Sequence, residues 1–355
     1  MKKVICIIES LGSGGAERQL VGLASLLKRQ GLHVEVWTYY PDDFYKYILD
    51  ENDVRCRCIN DAQSGKKRFS VIKSKLKKEK PDCVISYSAT MSTLLCFMKM
   101  LGASFKLIVS ERNTTQKLDF RERLRFCAYR YADVIVPNSY TQGEFIKSNY
   151  NGLFDKVSVI TNFVDTDIFV PIEEKAQTGK RQILIVGRMM EQKNIPTFLR
   201  TVAELTQDRD DFYVDWYGRD NGDEYSKLCH SLVESLNIGN VFKFHKATTN
   251  IRDIYQKCSI FCLPSLYEGF PNVVCEAMSC GCPIICSDVC DNHFLVDSKN
   301  GVLFNPLSMK SMKDGLNKIL DLSDTELNHM GKQSRNKAIN MFSKDRFVES
   351  YLKLL

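Results

Sequence analysis

Residues 264–288 read PSLYEGFPNVVCEAMSCGCPIICSD. An apolar run closing at Leu263 feeds a loop that holds Glu268, Gly269 and Phe270, and the helix expected next carries a second carboxylate, Glu276, eight residues further on. A glycine-containing loop that runs into a helix offers unpaired backbone N–H groups and the positive end of the helix dipole, which suits an anion such as a diphosphate. Glu276, a turn or more along, is placed to accept hydrogen bonds from a ribose diol. Glu268, on the loop, is placed for the hydroxyls of a sugar attached to that diphosphate. The stretch reads as a clamp for a nucleotide sugar.

Glu268 and Glu276 within EGFPNVVCEAMSCGCPII, with Pro264, Gly269, Phe270, Pro271, Ala277, Gly281 and Pro283 all in place, resemble the signature of retaining family-4 glycosyltransferases. The resemblance implies the GT-B fold, an α/β class of two Rossmann-like doubly wound domains facing a central cleft. It implies residues 1–168 as an acceptor-binding domain, 169–340 as a nucleotide-sugar domain, and 341–355 as a closing helix that packs back on the first.

Length and composition agree with two cores. A chain of 355 residues suggests two domains of about 170 residues each. An apolar share of 44% and a charged share of 26% place it among globular rather than disordered or membrane-spanning chains. Residues 4–8 are too short for the apolar stretch of a secretory leader, so a cytosolic location is expected. The 14 cysteines fall singly in expected strands and helices, with no C-x-x-C and no spacing that matches a zinc site. They are expected to be reduced thiols, with no metal and no cofactor.

The net charge of +6 is uneven. Up to Val170 there are 26 Lys and Arg against 19 Asp and Glu; beyond it, 23 against 24. Much of the surplus lies in residues 66–80, KKRFSVIKSKLKKEK, where Phe69, Val71, Ile72 and Leu76 give a loosely amphipathic helix, and in Arg121, Arg123, Arg125 and Arg130. Such a face suits an anionic leaflet, and a plain solvated helix accounts for it equally well. The aromatics do not interleave with the basic residues, which argues against nucleic acid.

The continuous apolar run 4–8 is expected to be a strand buried on both faces. It leads into Gly12-Ser13-Gly14-Gly15-Ala16-Glu17-Arg18 and a helix over about 16–30. The glycine loop lacks the full dinucleotide fingerprint. It resembles the GGAER loop that many family members place beside the donor diphosphate or the acceptor, so Gly14 and Gly15 enter as donor-binding candidates. Further strands are expected at 33–38, 82–86, 105–110, 133–137 and 157–160, then at 182–186, 212–217, 241–244, 260–263, 283–287 and 301–304. Alternation with helices predicts parallel sheets whose ligands gather at the carboxyl ends. Those ends nominate Glu111, Arg112 and Asn138 on the acceptor side. Glu111 and Arg112 read equally well as a mutual ion pair.

Asp165-x-Asp167 is expected to serve a turn rather than a metal. After the polar linker 171–180, Gly187-Arg188 and Gln192-Lys193-Asn194 resemble the basic motif by which the family binds the donor pyrophosphate. Arg grips two oxygens and Lys supplies a point charge.

The resemblance implies roles. Arg188, Lys193 and the backbone at Gly14, Gly15, Gly269 and Phe270 would neutralise the leaving diphosphate. Glu276 would hold the ribose, and Glu268 would orient the donor sugar. Retention would proceed on the front face, the donor phosphate taking the acceptor proton. No histidine stands at 110–112, so histidine assistance is not expected. A UDP-linked sugar and a glycan or polyprenyl-diphosphate-linked acceptor in cell-surface polysaccharide synthesis are the implied partners. The rival reading is a nucleotide-sugar epimerase of the same two-domain plan.

Overall fold

The structure, a computed structural model, describes residues 1–112, 114–115, 119–172, 179–248 and 250–355. Asn113, most of the expected linker 171–180, and Thr249 in the loop 246–251 lie outside the described residues. The chain divides into unit 1, Met1–Phe163 with Lys344–Leu355, and unit 2, Val164–Ser343.

Unit 1 is built on six strands: β1 Lys3–Ile7, β2 His33–Thr38, β3 Arg55–Cys58, β4 Cys83–Ser86, β5 Lys106–Glu111 and β6 Val134–Pro137. Its helices are α1 Gly15–Arg29, α2 Lys46–Glu51, α3 Gly65–Glu79, α4 Ala89–Met100, α5 Phe120–Ala128 and α6 Tyr140–Asn149. Every strand pairing is parallel, in the order β3-β2-β1-β4-β5-β6. β1 is apolar throughout because its residues face alternately into two cores: Ile5 and Ile7 on one side of the sheet, Val4 and Cys6 on the other.

Unit 2 repeats the plan. It has β7 Arg181–Val186, β8 Phe212–Gly218, β9 Phe242–Lys246, β10 Ile260–Leu263, β11 Ile284–Ser287 and β12 Gly301–Phe304. Its helices are α7 Ile195–Leu205, α8 Glu224–Ser235, α9 Ile251–Lys257, α10 Asn272–Ser279, α11 Asn292–Leu295, α12 Met309–Leu320 and α13 Asp324–Phe342. The order is β12-β11-β10-β7-β8-β9, again all parallel. In each sheet the winding reverses beside the first strand, between β1 and β4 and between β7 and β10. These are the switch points at whose carboxyl ends open parallel sheets collect ligands. The last helix, α14 Lys344–Leu352, lies in unit 1, where Phe347, Val348 and Tyr351 join the core on the α1 side.

Two expected elements differ. Residues 157–160 form no strand: Ser158 and Ile160 donate to β6 carbonyls at 2.9 and 3.1 Å, but only one bridge, Ile135 to Val157, is complete. The strand β3, RCRC, was not expected. It is an edge strand bonded only to β2, with arginines where an apolar run would have marked it.

The amphipathic reading of α3 also changes. Ile72 and Leu76 are buried and Phe69 and Val71 pack against the same core, so the apolar side of the helix is already spent within unit 1. Lys73, Lys75, Lys77 and Lys78 remain exposed.

Candidate functional site

At the switch point of unit 2, β7 ends in a turn fixed from two sides. The Gly187 N–H donates to the Tyr217 carbonyl at 2.9 Å, and the Trp216 indole N–H donates to the Gly187 carbonyl at 2.8 Å. A Cβ on Gly218 would lie 1.9 Å from the Gly187 oxygen, so only glycine lets the ends of β7 and β8 approach this closely. Arg188 leaves this turn exposed and makes no hydrogen bond or ion pair among the described residues.

A single 3-10 turn over Glu191–Lys193 follows. Asn194 ends it in the left-handed region, φ 56° and ψ 35°, and starts α7, its side-chain amide donating to the Pro306 carbonyl at 2.9 Å. That reversal aims Lys193 at the neighbouring loop. Its Nζ meets Glu268 Oε1 at 2.6 Å, and both side chains are almost wholly buried. Gln192 reinforces the contact: its carbonyl accepts from the Leu266 N–H at 2.8 Å and its amide donates to the Tyr267 carbonyl at 2.8 Å. The loops after β7 and β10 are thus laced together, with a cation and a carboxylate at the joint.

Glu276 sits on α10, buried, with the Tyr255 hydroxyl donating to its Oε2 at 3.2 Å. The Tyr255 carbonyl in turn accepts from the thiols of Cys258 and Cys282 at 3.3 and 3.1 Å. Nothing in the sequence distinguishes Tyr255 from a core aromatic, and it went unread. Ser265 was also unread; its hydroxyl is buried and has no partner among the described residues. The Phe270 ring packs on Phe342 in the core, which leaves only its backbone for a ligand. The helix α10 begins after Pro271 without a side-chain cap.

In unit 1, Gly14 is the extended residue before α1, with no side-chain cap, and Gly15 opens the helix. The Glu111–Arg112 ion pair, one of the two readings open for these residues, does not form. Glu111 is 3% exposed, and both of its oxygens accept from Arg125 Nη1, at 2.8 and 2.6 Å; the Tyr129 hydroxyl is a further donor. Burial pushes the Glu111 carboxyl up, against the pull of the Arg125 charge. Arg125 and Tyr129 thus tie Glu111 to the α5 side of the sheet. Consecutive residues of an extended chain point to opposite sides, so Arg112 faces away from Glu111. Arg112 lies over the Tyr87 ring, 4.5 Å from its centroid, and bonds Ser110 and Asn162. Asn138 donates to the Arg112 carbonyl at 3.4 Å, while its own Oδ1 is buried without a partner among the described residues. Asp165 accepts from the Asp167 N–H at 3.2 Å, and its carbonyl accepts from Ile168 and Phe169, which is turn chemistry.

The family model described as Glycosyltransferase Family 4 matches residues 13–168, and the one described as Glycosyl transferases group 1 matches residues 169–337. Together the two span most of the chain. It belongs to the family-4 glycosyltransferases of the GT-B fold.

An N-acetylgalactosamine-N,N'-diacetylbacillosaminyl-diphospho-undecaprenol 4-alpha-N-acetylgalactosaminyltransferase of Campylobacter jejuni is 25% identical, over 100% of both chains. A UDP-Gal:alpha-D-GlcNAc-diphosphoundecaprenol alpha-1,3-galactosyltransferase of Escherichia coli is 28% identical, over 81% of this chain and 78% of that one. Among solved structures, Anabaena Alr3699/HepE in complex with UDP superposes with a TM-score of 0.85 at 17% identity, covering 100% of this chain and 99% of the other. The glycosyltransferase has no helix among its described residues that is long and apolar enough to cross a membrane.

Proposed function

We propose that this glycosyltransferase moves a sugar, with retention, from a UDP-linked donor to a hydroxyl of a polyprenyl-diphosphate-linked glycan in cell-surface polysaccharide synthesis. The observation that carries the reading is the junction of Lys193 and Glu268 at the switch point of unit 2, with Arg188 on the same turn exposed and without a partner among the described residues. Without donor, Glu268 neutralises Lys193. When a diphosphate arrives, Lys193 and Arg188 face it together, and the carboxylate is released toward the hydroxyls of the sugar. Charge that builds on the leaving diphosphate is met by these two cations and by backbone N–H groups at Gly269 and Phe270, without metal. Glu276, braced by Tyr255, holds the ribose.

Unit 1 takes the acceptor, with Arg112 and Asn138 on that side. UDP as the carrier is supported by the Escherichia coli relative, named for a UDP-Gal donor, and by the UDP complex of the Anabaena protein. The lipid-linked acceptor is supported by the undecaprenyl substrates in the names of both relatives. Those names describe transferases, which disfavours the epimerase. An acceptor of this kind sits at a bilayer, and the exposed lysines of α3 supply a charge-based attraction to an anionic surface.

The test is a screen of UDP, GDP, ADP and CMP sugars, then transfer onto a polyprenyl-diphosphate sugar with the product linkage read by NMR. Turnover of a UDP sugar into an α-linked product is expected. Selective use of a GDP sugar, or a β-linked product from an α-linked donor, contradicts the proposal. Glu276→Ala weakens donor binding, and Glu268→Ala mainly lowers kcat; activity left intact in both would overturn the site.

A further inference from the structure

We infer that unit 1 holds the sugar end of its acceptor in a subsite built from Glu9, Tyr39, Tyr40 and Ser88, at the switch point of its own sheet. The inference rests on the transferase reading and adds which part of the acceptor meets which residues. β1 runs on into Glu9 and β4 into Ser88, so the two residues stand at the carboxyl ends where the winding of unit 1 reverses. The equivalent place in unit 2 holds the Lys193–Glu268 joint.

Glu9 is exposed but not loose. Its Oε1 accepts from the hydroxyls of Tyr39 and Ser88, each at 3.0 Å, and its carbonyl accepts from the N–H groups of Tyr39 and Tyr40 at 3.0 and 2.9 Å. Its Oε2 carries no bond among the described residues and is open to a ligand hydroxyl.

Tyr40 is also exposed and also held. Its ring, 42% exposed, lies 5.0 Å from that of Tyr39, and its hydroxyl accepts from Arg68 Nη2 at 3.2 Å. Arg68 is 8% exposed, sits 4.3 Å from the Tyr39 centroid, and also donates from Nε to the Ala62 carbonyl and from Nη2 to the Gln63 carbonyl. An arginine is thus committed to fixing an aromatic ring that faces solvent. Phe44 and Tyr47, both more than half exposed, continue the surface just beyond.

A preset ring face beside a preset carboxylate is the chemistry that recognises a neutral pyranose. The ring packs against the sugar's C–H face, and the carboxylate accepts from its hydroxyls. The local charge decides which end of the acceptor enters. Glu9, Asp42 and Asp43 are exposed carboxylates; of the cations close by, Arg68 is buried against the two tyrosines and Lys46 is paired with Asp50 at 2.6 Å. A diphosphate is repelled here, so the sugar docks and the lipid diphosphate is met elsewhere.

Saturation-transfer NMR on the full chain, with methyl α-D-galactopyranoside and methyl N-acetyl-α-D-galactosaminide as probes, tests the assignment. Saturation is expected to reach the ring protons of at least one glycoside, and Tyr40→Ala and Glu9→Gln are each expected to weaken binding about tenfold. Glu9→Gln keeps an acceptor oxygen for Tyr39 and Ser88, so its thermal midpoint monitors folding. No saturation of either glycoside by the wild type, or equal saturation in both variants, overturns the subsite. UDP binding measured on the same samples separates the two readings: its absence counts against the donor site, and its presence without glycoside binding counts against this subsite alone.

Discussion

Lys193 and Glu268 are 75 positions apart in the chain, yet their charged atoms are 2.6 Å apart. The sequence nominates both residues as site candidates because each belongs to an ordered motif. Their direct contact was not legible there, since sequence spacing does not say which partner a lysine takes when no ligand is present. Glu111 makes the same point in reverse. Its nearest cation in sequence is Arg112, but strand geometry turns that residue away and a helix brings in Arg125 instead. Asn194 carries the turn that aims Lys193, and its left-handed backbone and buried amide give it two reasons to be asparagine. Asn194→Ala is expected to destabilise the protein by about 2 kcal/mol, from αL strain and a lost buried hydrogen bond. Asn194→Gly, which relieves the strain, should recover part of that loss in urea unfolding.

Among the elements, runs of apolar residues made most strands readable, because a strand buried on both faces needs no alternation. The edge strand β3 lacks that signature, and residues 157–160 carry an apolar pattern without a full ladder to use it. α3 was read as amphipathic from its sequence; what covers its apolar side is a matter of packing, which spacing does not reveal. Glu79 at its end accepts from Lys3 at 2.5 Å and from Arg57 at 2.7 Å, tying the helix to β1 and β3. Those bonds hold its carboxyl at about 2 against an ordinary 4.5. The group lies near the surface, where water screens the charges, so its contribution is modest. A depressed acid stabilises the fold above its unfolded pKa and loses that contribution as pH falls through the folded one. Stability should therefore drop between about pH 4.5 and 2 in part through Glu79, and Glu79→Gln should flatten that segment of a chemical-denaturation pH profile. Gly331 on α13 is another packing point: a Cβ there would lie 2.3 Å from the Gly281 oxygen. Gly331→Ala forces the helix off the turn after α10 and should cost about 2 to 3 kcal/mol, read as a lowered thermal midpoint.

At the scale of the molecule, two sheets with the same winding were foreseeable from strands alternating with helices and from the restart of the pattern after residue 180. The identity of donor and acceptor was not, because base and sugar identity depend on loop backbone that a sequence does not expose. The surplus positive charge of the first half predicts that binding to anionic vesicles is salt-sensitive. Replacing Lys73, Lys75, Lys77 and Lys78 with Glu should lower the co-sedimented fraction; an unchanged fraction would remove charge on α3 as the cause.

The central claim is that Arg188 and Lys193 bind the diphosphate of the donor. Calorimetric titration of UDP into the wild type and into the Arg188→Ala/Lys193→Ala double variant tests it most directly. The account predicts saturable binding to the wild type and a loss of about a hundredfold or more in the variant. Equal affinity in the two proteins would contradict it.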